Sequence, residues 1–414
     1  MARGRRSVVA SDHFPGHLRT EPKRSLVRTL TQVHRLLREL PFPAVNDLPP
    51  HQIAFLQQFG FDANLQRRWH DALAAGTLTK ASNVVTGPLQ APPAQDLDAL
   101  PAPGSPRHRE LDALGRAAIA KGELGVVVLN GGMATRFGGV VKGVVPVLGE
   151  RRSFLGLVLE DLQRVERVTG GRIPLFLMNS FATDASTKEH FDRHAHFGHD
   201  AARIAHFTQF VALRMTKQGE LFRLGNGDVS AYGPGHGDFP GAFRAAGLLQ
   251  RFRAAGGRYV LVRNVDNLGA RIEPVILGHH IASRRDATVE LAPKWKGDAG
   301  GAPYLYQGRT QLIEGLRFPP GFDADIVDVF NTNTLWFTAA AIDREFELGR
   351  YYVEKSVEGR TAVQVEHLIG ELTAHLPSSF LRVPREGVAT RFLPVKTPED
   401  LVAIRKEIEA IYGA

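Results

Sequence analysis

The 414-residue chain predicts an α/β fold: a mostly parallel sheet covered by helices on both faces, preceded by a helical extension at the N-terminus. Three observations carry that expectation. Val126-Val127-Val128-Leu129-Asn130 is apolar without polar alternation until it meets Gly131-Gly132, the pattern of a strand buried on both faces that ends in a tight loop. From residue 124 onward, strand-length apolar runs alternate with helix-length amphipathic runs. The first 40 residues differ in character: they hold nine Lys or Arg against three Asp or Glu, which is +6 of the net +8.

Taken in order, Ser25 to Leu40 sets Leu26, Leu30, Val33, Leu37 and Leu40 at steps of four and three, the stripe of an amphipathic helix. A second helix is expected after Pro50, and six prolines between 88 and 106 read as an irregular connector. The division expected is 1–106 for extension and connector, 107–397 for the α/β domain, and 398–414 for a C-terminal helix. Strands are expected at Val126 to Asn130, Ile173 to Asn179, Arg203 to Phe207, Tyr259 to Arg263, Thr288 to Leu291 and Thr334 to Phe337. Ser153 suits the N-cap of a helix reaching about Val168, with Leu155, Val158, Leu159, Leu162 and Val165 on one face. Another helix runs from Asp238 to Gly256-Gly257. Thr397-Pro398-Glu399-Asp400 reads as an N-cap, a first-turn proline and acids at the positive helix end; Leu401, Ile404, Ile408 and Tyr412 then share a face.

Composition narrows the classes of function. At 43% hydrophobic and 23% charged the balance is that of a soluble globular protein. No run approaches a membrane span, the N-terminus lacks the apolar stretch of a signal peptide, and a cytoplasmic protein with no membrane partner is expected. Zero cysteines exclude disulfides, thiolate nucleophiles and cysteine-ligated zinc. Because the basic excess sits in the N-terminal segment, it reads as a solvated face and not as a nucleic-acid site.

The loop after the first strand is built to meet an anion. Gly131 and Gly132 let backbone N–H groups approach phosphate oxygens, and Thr135, Arg136 and Lys142 add a hydroxyl and two cations. A dinucleotide fingerprint fails, since it needs glycine at Met133 and Arg136, and the Gly-Lys-Ser/Thr of a Walker loop is absent. Ligands of such sheets bind beyond the carboxyl ends of the strands, where Asn130, Asn179 and Asn264 to Asp266 fall. Asp266 is the candidate Mg²⁺ ligand, with turn-capping the alternative, and Asp323-Ala324-Asp325 is a competing metal motif. Gly235-His236-Gly237-Asp238 opens a helix suited to an anionic group. His190, His194, His196 and His199 are clustered but read as solvated. Lys396 precedes the well-defined turn at Thr397.

Six segments in order resemble the eukaryotic-type UDP-sugar pyrophosphorylases: the loop from Val126 to Gly143, Pro174 to Phe181, Pro234 to Asp238, Asn264 to Gly269, Asn331 to Trp336, and Arg391 to Lys396. The resemblance covers residues 126 to 402, with Ala134 in place of the family's third loop glycine. It implies a Rossmann-like, GT-A-like nucleotidyltransferase that converts UTP and glucose 1-phosphate to UDP-glucose and pyrophosphate with Mg²⁺. Carried over, it puts Leu129, Asn130, Gly131 and Gly132 at the nucleotide, Gln209 on the uracil, Gly235 and His236 at the nucleotide and sugar phosphate, and Asn264 on the substrate. Asn331 and Asn333 then contact the sugar, Asp266 the metal, and Lys142, Lys396 and Arg136 the reacting phosphates. The Gly235 to Asp238 and Asn331 to Asn333 segments look like the glucose branch; an N-acetylglucosamine or broad pyrophosphorylase is the alternative. From other classes, a UDP-sugar glycosyltransferase would use Asp323 and Asp325, and a non-catalytic sensor would keep the fold alone. Relatives assemble through a C-terminal β-helical domain, and since about 18 residues follow Lys396, a monomer or weak dimer is expected.

Overall fold

The computed structural model describes residues 48–413 apart from 135, 136 and 299. Pro49–Ala414 forms one compact unit. The expected helix from Ser25 to Leu40 and the basic segment around it lie outside the described residues.

The unit is built on one eight-stranded sheet. Its strands in chain order are β1 (Leu97–Ala99), β2 (Leu124–Asn130), β3 (Leu175–Asn179), β4 (Ile204–Thr208), β5 (Tyr259–Asn264), β6 (Ala287–Pro293), β7 (Val329–Thr338) and β8 (Ser378–Arg382). Their spatial order is β1-β8-β6-β7-β5-β2-β3-β4. Every pairing is parallel except those of β7, which runs against both β6 and β5. All six expected strands are present. The expected connector differs, because Leu97–Ala99 pairs with Phe380–Arg382 and extends the sheet by an edge strand. Three residues without a run of apolar neighbours carry no periodic signal, which is why the sequence reads as loop there.

The unbroken apolar runs are explained by the two cores they serve. Val127 and Leu129 join Phe176, Met178, Val260, Val262, Leu335 and Phe337 in one cluster, while Val126 and Val128 join Leu175, Leu177, Leu261 and Trp336 in the other. Alternate residues of each strand thus face opposite layers, and both layers are apolar. Helix α1 (Phe154–Thr169) covers the second face, with Leu155, Val158, Leu159, Leu162 and Val165 buried and the Gly156 N–H bonded to Ser153 Oγ at 3.1 Å. The first face is covered by α2 (Phe239–Ala245) and α3 (Leu248–Ala254), which are two helices where one is expected. Gly247 takes a left-handed conformation (φ 68°) and breaks the run. The C-terminal helix divides likewise, into α4 (Pro398–Ala403) and α5 (Arg405–Tyr412), at Ile404. Among the described residues no helix is long and apolar enough to cross a membrane.

Candidate active site

Three strands end on asparagine: Asn130 closes β2, Asn179 closes β3 and Asn264 closes β5. Register aligns them, with Asn130 opposite Asn179, Asn179 opposite Thr208, and Leu129 opposite Asn264. Because β7 is antiparallel, its first residues lie at this same end of the sheet. Asn331 and Asn333, on the entering part of β7, therefore join a line that sequence places only for parallel strands. Asn333 adopts a left-handed backbone (φ 56°), its N–H bonds Asn331 Oδ1 at 2.9 Å, and its Nδ2 donates to Asn264 Oδ1 at 2.9 Å. That local bond is what makes a non-glycine residue tolerable at positive φ.

Gln209 stands at the far end of the line. Its N–H donates to Asn179 O at 2.8 Å. Its side chain is gripped between two glycines: a Cβ on Gly131 would lie 3.2 Å from Oε1, and one on Gly233 only 1.6 Å from Nε2. Gly233 is thus fixed by the amide it accommodates, a relation across the fold that no local motif announces. The Gly131 carbonyl accepts from Ser180 Oγ at 2.9 Å, and Gly132 is open to solvent. Leu129 is buried beneath them.

The side chain of Asn130 is turned inward, away from where a strand-end residue is expected to point. It is fully buried; Nδ2 donates to Asn179 Oδ1 and Thr187 Oγ1, both at 2.9 Å, and Oδ1 packs against Gly143. Its amide braces the turn that presents Lys142 and does not face the ligand edge. Between the two, Met133–Ala134 pairs with Val140–Val141 as a small antiparallel hairpin. Arg136, with Thr135, lies outside the described residues.

Lys142 and Asp266 meet. Lys142 Nζ is 2.9 Å from Asp266 Oδ2, with the two side chains 13% and 26% exposed. The segment bearing Lys396 lies alongside, since the Val395 N–H donates to Asp266 O at 3.0 Å. Thr397 is the expected N-cap and forms a capping box with Asp400, whose Oδ2 accepts from the N–H groups of both Lys396 and Thr397. The Lys396 side chain itself is exposed.

Gly235 holds φ at 115°, a conformation open to glycine, and a Cβ there would strike His367 O. The loop is clamped to its neighbour: Gly237 N–H donates to His367 O at 3.0 Å and Ile369 N–H donates to His236 Nδ1 at 2.9 Å. Burial lowers the His236 imidazole to about 4, so it is neutral, and an accepting Nδ1 puts its proton on Nε2. The helix that follows is short, after one 3₁₀ turn at His236–Asp238.

Glu314 escapes a reading of the sequence. It follows the hairpin strand Arg309–Ile313 and accepts from Asn331 Nδ2 at 3.3 Å; burial raises its carboxyl pKa. A lone glutamate after a hairpin has no motif, and only folding sets it beside Asn331. Asp323 takes a turn role, accepting the Asp325 N–H at 2.9 Å, while the Asp325 side chain is 89% exposed. The histidine cluster divides: His190 is buried against Ser153 Oγ at 2.8 Å and lowered to about 4 by desolvation, and His199 is buried too, so neither is solvated. Among the described residues no group of three or more His, Asp or Glu is arranged to hold a metal. Asp266 as one carboxylate fits a hard cation that takes its remaining oxygens from phosphates and water, which is how Mg²⁺ is commonly held.

The profile of the UTP–glucose-1-phosphate uridylyltransferase family matches residues 94–411, from the edge strand to the last helix. The chain belongs to that family. UTP–glucose-1-phosphate uridylyltransferase of Solanum tuberosum is 32% identical over 301 residues, 69% of this chain and 62% of its own length. The protein of that name from Musa acuminata is 31% identical over 302 residues, covering 69% of this chain and 63% of its own. The chain thus spans somewhat under two thirds of these uridylyltransferase relatives. Among solved structures, UDP-N-acetylglucosamine pyrophosphorylase from Trypanosoma brucei aligns over 94% of this chain and 85% of its own, at 21% identity and a TM-score of 0.74. A UDP-glucose pyrophosphorylase variant from Leishmania major in complex with UDP-glucose aligns over 81% and 73%, at 23% identity and a TM-score of 0.65. These likenesses establish that the family sheet is the one seen here.

Proposed function

We propose that the protein transfers the uridylyl group of UTP to glucose 1-phosphate, releasing pyrophosphate and forming UDP-glucose. One observation carries the reading: the polarity of the residues along the carboxyl end of the sheet. An amide that can both donate and accept, Gln209, stands beyond β4. Four strand positions away the hydroxyl-binding types Asn333, Asn331 and Glu314 cluster at β7, and the charged set Lys142, Asp266 and Lys396 lies between. Adjacent strands are about 4.8 Å apart, so the four steps from β4 to β7 reach about 19 Å. A base, ribose, two phosphates and a hexose laid out in line suit that order.

In this reading Gln209 pairs with the uracil edge and the open backbone at Gly131 and Gly132 lets the phosphates approach. Asn264, Asn331, Asn333 and Glu314 receive the sugar hydroxyls, and the Nε2–H of neutral His236 donates to substrate oxygen. A phosphate oxygen of glucose 1-phosphate attacks the α-phosphorus of UTP in line, and the bond from that phosphorus to the oxygen bridging the α- and β-phosphates breaks, that oxygen leaving on pyrophosphate. No enzyme nucleophile is needed, so the residues act by positioning and by neutralising charge. Lys142 exchanges its carboxylate partner for phosphate, and Lys396, with Arg136 from the loop, meets charge on the leaving group. Mg²⁺, when bound, would be held by Asp266 together with phosphate oxygens and would supply charge neutralisation.

A coupled assay of pyrophosphate release across nucleoside triphosphates and sugar 1-phosphates tests the proposal. UTP with glucose 1-phosphate is expected to give the highest kcat/KM. Faster turnover with N-acetylglucosamine 1-phosphate would reassign the sugar, and binding of UDP-glucose with no turnover would make the protein a sensor.

A further inference from the structure

Asp266 and Lys396 arrive from distant parts of the sequence, and one side chain joins them. Asn267 is 1% exposed. Its Oδ1 accepts from the Gly269 N–H at 3.1 Å and the Leu393 N–H at 2.9 Å; its Nδ2 donates to Arg391 O at 3.1 Å and Thr334 Oγ1 at 3.4 Å. Those are all four bonds a carboxamide makes. Around it, Leu268 N–H donates to Leu393 O and Val395 N–H donates to Asp266 O, both at 3.0 Å, so residues 391–395 lie as a short antiparallel ribbon on residues 266–268. The ribbon is anchored at one end by Arg391, whose guanidinium makes two 2.7 Å bonds to the buried Glu290 carboxylate, and at the other by Asp400.

We propose that Asn267 is the positioning residue for Lys396: its carboxamide splices the ribbon that carries the lysine to the strand end that carries Asp266. The inference rests on the roles given to Lys396 and Asp266 above. The Lys396 side chain is exposed, so its ammonium is placed only as well as its backbone is. Arg391 and Asp400 fix the ends of the ribbon; the middle depends on Asn267. A leucine of similar size would leave two N–H groups and a carbonyl unpaired in a buried place, whereas an amide satisfies both strands at once. Misplacing a reacting group by about 1 Å costs on the order of 10²-fold in rate.

The test is a double-mutant cycle in the full chain, with Asn267→Ala, Lys396→Met and the pair, read by kcat and KM for both substrates and by hydrogen exchange of residues 391–397. Asn267→Ala is expected to lower kcat by about 10²-fold with little change in either KM. In the Lys396→Met background the same change is expected to cost no more than about twofold, because the group it positions is gone. Exchange of 391–397 should accelerate while peptides of β2, β3 and β5 stay protected. Equal losses in both backgrounds, wild-type kcat in Asn267→Ala, or loss of protection across the sheet would each overturn the proposal. Should Asn267→Ala fail to fold, Asn267→Asp keeps the volume and the accepting oxygens while removing both donors, and the same cycle decides. Wild-type kinetics in Lys396→Met alone would instead overturn the role of Lys396, and that outcome is distinct from an impaired Lys396→Met beside a fully active Asn267→Ala.

Discussion

Replacing Asp266 by Asn separates its pairing with Lys142 from the metal-holding role proposed for it. It pairs with Lys142 at 2.9 Å, with the Lys142 and Asp266 side chains 13% and 26% exposed, between the surface and buried limits. Exposed pairs contribute about 0.2–1 kcal/mol and breaking a fully buried one costs about 3–5 kcal/mol. Asn keeps an oxygen for the ammonium, so the expected loss of stability is about 1–2 kcal/mol, readable by urea unfolding. The loss in the reaction should be larger. Removing a charged ligand that acts where charge develops should lower kcat by about 10²- to 10³-fold, or about 3–4 kcal/mol, and raise the Mg²⁺ concentration needed for half-maximal rate. Pyrophosphate release at saturating substrates, titrated with Mg²⁺ against both proteins, reads both quantities. Unchanged kcat and unchanged Mg²⁺ dependence would refute the reasoning, as would a fall in rate accounted for by unfolded protein at the assay temperature.

Three further outcomes are expected. Lys396→Met, which keeps the stem and deletes the cation, should lower kcat by about 10²- to 10³-fold with affinity falling less, whereas loss of binding at constant kcat would mean uniform ground-state binding. Gly233→Ala puts a Cβ where Gln209 Nε2 lies, so kcat/KM for UTP should fall by about 10- to 100-fold, the loss of one or two hydrogen bonds, and the preference for UTP over CTP should shrink; an unchanged preference would remove Gln209 from the base site. His280, buried between Thr288 and Thr338, is held by desolvation down to about 3, below its usual 6.5. The unfolded chain therefore binds the extra proton first as pH falls, so stability drops from pH 6.5 toward 3 by about 1.4 kcal/mol per pH unit; His280→Gln should flatten that part of the pH profile in urea melts, and an identical profile would contradict it.

How much of this was legible in the sequence depends on the range over which each feature is decided. Val126 to Asn130 and the Ser153-capped helix are local: burial on both faces writes itself as an unbroken apolar run, and a cap writes itself as a serine before an apolar stripe. Both stand in the structure. The break at Gly247 was not legible, because one glycine inside an apolar stretch signals tolerated strain as often as a helix end. The three-residue strand at Leu97 was hidden for the opposite reason, since its pairing with Phe380 to Arg382 comes from a partner far along the chain.

The same division runs through the site. Asp266 stands out from its strand-end position and Lys142 as a cation of the glycine-rich loop, yet only the fold shows that each is the other's partner. Asn130 illustrates the converse. Its place at a strand end made it a candidate for ligand contact, but the last residue of a strand alternates between the two faces, and the phase that buries Val128 also turns Asn130 inward to Thr187. The antiparallel course of β7 matters most, because it brings Asn331 and Asn333 to the carboxyl end of a sheet whose other strands all leave there. Strand direction has no signature in a run of apolar residues. Residues that enter the sheet, Asn331 and Asn333, thereby meet Asn264, which leaves it, at the place proposed for the sugar, and Glu314, invisible as a motif, gains its place only through Asn331.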